Sequence, residues 1–148
     1  MTEASLSDQA ERLTRRRARM LPVLAAFYFA QQASFFSSPL SDRPVDHFKI
    51  GAWVVLSLVL LAALITGGFW SRKRELREML DDESSRAHRA DALGTGFVVA
   101  MVTGILLYVV GTVSEVSARE AIHLIVSLGI AAALVRFGWL ERRALRDG

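Results

Sequence analysis

Cysteine is absent from the 148 residues, which excludes disulfides, thiol redox relays and Cys-ligated metals or clusters. Lysine is nearly absent: of 18 basic residues only Lys49 and Lys73 are lysines, and the rest are arginines. Proline occurs three times, at 22, 39 and 44, so most of the chain is free of helix breakers. Charge is missing altogether from Ile50 to Trp70, a run of 21 residues. No Asp, Glu or Lys lies deep inside any other long apolar segment either. Proton pumps and proton-coupled antiporters need such a group, so this absence argues against them.

What remains is apolar: 52 % of the chain, distributed in long blocks. At a rise of ~1.5 Å per residue the Ile50–Trp70 segment makes a helix of roughly 31 Å, about the hydrocarbon thickness of a bilayer. Trp53 and Trp70 lie near its ends, where indoles favour the headgroup level. A helix apolar on every face is rare on the surface of a soluble domain this small. The segment therefore reads as a transmembrane helix.

Three more segments follow the same logic. Residues 20–38 are the most polar, with Gln31, Gln32, Ser34, Ser37 and Ser38 in the second half and Pro22 in the first turn. Arginines followed by a short apolar core also suit a signal peptide, but no small-x-small cleavage pattern follows Phe29. Residues 92–113 and 120–140 complete the set, joined by a tight turn at 114–119. Residues 39–49 read as a loop. Residues 71–91 form a charged connector whose Arg74–Glu78, Arg77–Asp81 and Asp82–Arg86 pairs at i,i+4 favour a helix. The expected fold is all-α: a four-helix transmembrane bundle with a cytoplasmic helical connector, in a single integral membrane domain.

Charge sets the expected orientation. With four spans, the N-terminus, the connector and the tail share a side and carry 14 basic residues. The other side carries only Arg43, Lys49 and Arg119, while Arg136, one turn inside the last span, can snorkel towards the 14. Both termini are expected in the cytoplasm of a bacterial inner membrane. The run Arg12, Arg15, Arg16, Arg17 and Arg19, directly against an apolar segment, reads as a membrane anchor near anionic lipid rather than a nucleic-acid patch.

Lipid supplies no hydrophobic drive for helix association, so small residues and hydrogen bonds must supply it. Ala92, Gly96, Ala100 and Gly104 form a strict i+4 ridge, as do Ala26, Ala30, Ser34 and Ser38. Gly129 with Ala133, and Ala63 with Gly67, are shorter versions. These ridges read as the bundle interior or, alternatively, as a homo-oligomer face. Gln31, Gln32, Ser57 and Ser127, with Tyr108 slightly further out, fall at similar depth and define a polar layer. It is either hydrogen-bonded glue or a site for a small molecule or ion.

Metal and catalytic signals are sparse. Glu120 and His123 form E-x-x-H at i,i+3, and with Asp46 and His47 on the same side they are the candidate metal ligands. The bland alternative leaves His123 as a hydrogen-bonding residue near the interface and Glu120 paired with Arg119 in water. A haem needs paired axial ligands, and His123 is the one histidine inside a span. His88 follows Asp81, Asp82 and Glu83, which a solvated charged face explains. Nucleophile elbow, H-E-x-x-H pair and phosphate loop are all missing from the sequence.

From Asp81-Asp82-Glu83 through Arg86, Arg89 and Ala90 into the apolar Gly96–Val113 run, the chain resembles small, uncharacterised four-helix bacterial inner-membrane proteins. The resemblance covers residues 71–140. It implies a four-helix inner-membrane protein and no reaction. The expected function is a non-enzymatic membrane protein without cofactor, structural or accessory to a larger complex, with residues 71–91 docking a protein partner. The alternatives are a small transporter or ligand-binding bundle using the polar layer, and a periplasm-facing metal-binding protein.

Overall fold

The computed structural model describes residues 12, 15–16, 19–31, 44–66 and 83–147. All but the short turn at 112–117 are helical, and no strand occurs among them. The helices are α1 (19–31, with residues 12, 15 and 16 also helical), α2 (Pro44–Thr66), α3 (Glu83–Gly111) and α4 (Ala118–Asp147). The last three are long and apolar enough to cross a membrane. The described run of α1 spans roughly 20 Å. Residues 32–38 of the expected first span lie outside the described residues.

Local chemistry explains the ends. Helix α2 begins at Pro44, six residues before the apolar run, so residues 44–49 are helix rather than loop. Hydropathy marks where a helix is apolar, whereas the start is marked by a proline whose missing N–H costs nothing in the first turn. Residues 67–70, Trp70 among them, lie outside the described residues. Helix α3 is unbroken from Glu83, so the second half of the expected connector, 83–91, is continuous with the apolar part of α3. Residues 71–82 are not described. At the far end of α3 the Thr112 hydroxyl donates to the Val109 carbonyl at 2.7 Å and the Ser114 hydroxyl to Val110 at 3.1 Å. Helix α4 opens with a capping box: Ser117 Oγ accepts from the Glu120 amide at 3.2 Å, and Glu120 Oε2 accepts from the Ser117 amide at 3.2 Å and hydroxyl at 2.7 Å.

Helices α3 and α4 form an antiparallel hairpin whose register follows from that turn. A Cβ added to Gly96 would lie 2.7 Å from the Gly129 carbonyl oxygen and 2.9 Å from the Ala133 Cβ. One added to Gly129 would meet Ala100 Cβ at 3.1 Å. Such backbone approach needs the absence of side chains, and it maximises dispersion along the seam. Ala92 is fully buried on the same ridge, whereas Gly104 is looser, with Ile125 Cδ1 at 3.6 Å. At its C-terminal end α4 touches α1, because a Cβ on Gly138 would sit 3.0 Å from Pro22 Cδ and 3.2 Å from Leu21 Cβ.

The core gathers Ala25 and Tyr28 of α1, Leu60 and Leu64 of α2, Ala92 of α3, and Ile130, Ala131, Ala133, Leu134 and Phe137 of α4. Helix α4 is central: 44 % of its most apolar stretch is buried, against 17 % for α2 and 6 % for α3. The α1 ridge does not behave as its spacing suggested. Ala26 and Ala30 are exposed, and the stripe Leu21, Ala25 and Tyr28 faces the bundle instead. The outer faces carry large apolar side chains, Val55, Leu58 and Ile65 on α2 and Phe97, Val98, Ile105 and Leu106 on α3 among them.

Candidate functional site

Two polar clusters interrupt the apolar bundle, and they differ in charge. The uncharged one joins α1, α2 and α4. The Tyr28 and Ser57 hydroxyls share a buried hydrogen bond of 2.7 Å. Trp53 Nε1 donates to Ser127 Oγ at 3.3 Å, and its ring stacks on the buried His123, with centroids 4.3 Å apart and planes 28° from parallel. The indole is thus turned into the bundle, several residues inside α2, and not out at a helix end.

Of the residues expected in a polar layer, Ser57 and Ser127 lie in this cluster, each bonded to an aromatic handle. Gln31, almost one turn beyond Tyr28, has a buried Oε1 with no hydrogen-bond partner among the described residues. Tyr108 is 79 % exposed on α3 and stands apart. Gln32 lies outside the described residues. The partners that sequence reasoning missed are Tyr28 and Trp53. Both carry a polar tip that needs a partner once buried, and that was the available signal. Chemically the cluster offers neutral donors and acceptors, and it holds three helices in register.

Of the four metal candidates, Glu120 and His123 have described side chains. Asp46 and His47 fall in the first turn of α2, with their side chains outside the described residues. Glu120 turns back to cap its own helix through Ser117, while His123 turns inward to Trp53. The i,i+3 spacing places the two on neighbouring positions, but each serves a different contact. Among the described residues no group of three His, Cys, Asp or Glu could hold a metal ion.

The second cluster is charged and lies where α3 begins and α4 ends. Arg136 Nε donates to Asp91 Oδ2 at 2.7 Å. Glu141, only 4 % exposed, lies 3.6 Å from His88 Nδ1. Arg89 Nη1 donates to the Ile65 carbonyl at 3.2 Å, closing the C-terminus of α2 with a cation where the helix dipole is negative. The guanidinium carbons of Arg136 and Arg143 lie 5.1 and 5.6 Å from the centroid of Trp139, within cation–π range. Sequence reasoning sent Arg136 towards the side with the 14 basic residues and overlooked Asp91. Folding the chain about Ser114–Glu115 would have come within two residues of it: residues equidistant from that turn meet, 88 with 141 and 96 with 133, and Asp91 pairs with Arg136, two residues from its reflected position.

No protein-family model, curated protein or solved structure matches this chain.

Proposed function

We propose that the protein is a non-enzymatic, four-span protein of a bacterial inner membrane, structural or accessory to a larger membrane complex, with both termini in the cytoplasm. The observation that carries the reading is the internal pairing of polar groups. Tyr28 bonds Ser57, Trp53 bonds Ser127 and stacks on His123, and neither contact includes a carboxylate or a lysine. Hydrogen bonds of this kind are the adhesive of membrane bundles, and they leave the hydroxyls engaged with each other rather than with a solute. The exposed apolar faces of α2 and α3 suit lipid, and the basic asymmetry of 14 to 3 favours termini inside. The partner-docking surface proposed here is 71–91, through Leu76, Met79 and Leu80, which lie outside the described residues, and the exposed face of α3 from Glu83.

Purification of the full chain in mild detergent, followed by mass spectrometry, tests the accessory role. A stoichiometric companion polypeptide is expected, lost in a Leu76→Asp, Leu80→Asp variant. Recovery of the chain alone from native membranes would overturn it. Orientation is tested by reporters that fluoresce only in the cytoplasm, expected active at Asp8 and Gly148 and silent at Asp42. A second reading, a small ligand-binding or transporting bundle, draws on the buried unsatisfied Gln31 oxygen, since such an atom costs about 1–3 kcal/mol unless something bonds it. A solute that raises thermal stability in the wild type and not in Gln31→Leu would favour this reading over the first.

A further inference from the structure

Asp91 and Arg136 are the two formally charged residues of the stretches 91–111 on α3 and 121–140 on α4. Their 2.7 Å bond fixes both at one level of the hairpin, and the side chains are 48 % and 37 % exposed. Arg136 Nε donates and Asp91 Oδ2 accepts. The two Nη nitrogens and Oδ1 make no hydrogen bond among the described residues, so donors and an acceptor of fixed position remain on the outer surface.

Apolar surface surrounds the pair. Thr95 and Val98 follow Asp91 at i+4 and i+7 on α3, and Val135 and Ala132 precede Trp139 at i−4 and i−7 on α4. Val98, Val135 and Trp139 are exposed, and the Arg136 guanidinium carbon lies 5.1 Å from the Trp139 ring centroid. Arg143, whose guanidinium also reaches that ring, stands one turn further along α4, at the rim. This side of α4 is turned away from His123 and Ser127, where α4 meets α2.

A half-exposed ion pair is costly beside hydrocarbon, and its unspent groups favour a neighbour that brings both signs of charge to the same depth. A second copy brings them by construction. A two-fold axis along the bilayer normal keeps every residue at its depth and reverses directions in the membrane plane. The dipole from Asp91 to Arg136 is therefore reversed in the second copy, so each carboxylate faces the other copy's guanidinium. Opposed dipoles attract, and more strongly in a medium of low dielectric than in water.

We propose that this outer face of α3 and α4 is the contact between two copies of the chain, closed by two reciprocal Asp91–Arg136 pairs with Val98, Val135 and the Trp139 ring around them. The inference rests on the membrane reading, and the two fail differently. A chain that alkali strips from phosphatidylcholine vesicles ends both, whereas an embedded chain that stays monomeric ends this one alone.

The test uses the full chain in phosphatidylcholine vesicles, with fluorophore-labelled molecules counted by photobleaching across a dilution series. Bleaching in two steps is expected, and single steps at every protein-to-lipid ratio overturn the proposal. Asp91→Arg and Arg136→Asp should each weaken self-association at least roughly ten-fold, because like charges then face each other across the axis. Mixed together, the two variants should associate as the wild type does, since each supplies the sign that the other lacks. A role for the pair only within one chain predicts no such rescue, so a mixture as weak as its components overturns the reciprocal pairing. The absence of cysteine supplies a second measurement that does not depend on the charge variants folding. A bismaleimide should join Val135→Cys chains into dimers and leave Val55→Cys chains, exposed on α2, as monomers. Failure at 135, or equal cross-linking at 55, overturns the proposed face.

Discussion

Helices α3 and α4 have 29 and 30 residues, are both long and apolar enough to cross a membrane and are joined by one short turn, yet they occupy opposite roles. Only 6 % of the apolar stretch of α3 is buried, against 44 % for α4. Helix α3 packs closely on the bundle along a narrow seam of small residues, Ala92, Gly96 and Ala100, and presents Phe97, Val98, Ile105 and Leu106 outward. Helix α4 meets α3 at Gly129 and Ala133, α1 at Gly138 and α2 at Ser127. Hydropathy therefore does not rank helices by centrality. The number of faces carrying a small or hydrogen-bonding residue does, because backbone approach and polar pairing are what hold these helices together.

The strongest way to break this comparison is to remove the same ring from each helix. Phe137→Ala takes a side chain that is 1 % exposed and should lower stability by about 3–5 kcal/mol through the cavity it leaves. Phe97→Ala, 64 % exposed, should lower it far less, and thermal unfolding in detergent reads both. Equal losses would mean that α3 is as enclosed as α4.

A smaller effect comes from the seam. Gly96→Ala places a Cβ 2.7 Å from a backbone oxygen that cannot move without its helix, an overpacking cost of about 1–3 kcal/mol. Gly94→Ala meets nothing within 4 Å and should be neutral or slightly stabilising through helix propensity. Gly104→Ala, facing only the flexible end of Ile125, should fall between them. If 94 and 96 respond alike, the seam is misplaced.

The turn joining the two helices sharpens the comparison further. Ser117→Ala removes the hydroxyl that caps α4, at a cost of about 1 kcal/mol, and should speed amide exchange over the first turn of α4 while leaving α3 unaffected. The smallest expected change is at the uncharged cluster. Tyr28→Phe deletes one buried hydrogen bond at about 0.6 kcal/mol, and a double-mutant cycle with Ser57→Ala should recover that coupling. A coupling near zero would show that the pair does not hold α1 to α2.

Much of the fold was legible in the residues. Charge-free length announced the long apolar helices, the i+4 ridge of α3 found its seam, and reflection about Ser114–Glu115 predicts its partners. The candidate sites were less legible. Ser57 and Ser127 were visible as polar residues in apolar runs, but their partners Tyr28 and Trp53 counted as apolar or interfacial. Glu120 and His123 shared a spacing that suits a metal, and nothing in that spacing distinguishes a ligand from a helix cap.

By itself, the sequence determined the class: long helices with apolar stretches, their antiparallel order, and the arginine-rich segments. Those are local properties, set by composition, period and the lengths of the breaks between helices. Only the tertiary structure decided which helix is central, which way each ridge faces, and that Tyr28 meets Ser57 and Asp91 meets Arg136. Ala26 and Ala30 show why: their spacing is as regular as that of Ala92 and Gly96, yet they face outward. A ridge is buried only if a neighbouring helix offers a matching hollow, and α4 offers α1 Gly138 against Leu21 and Pro22 instead.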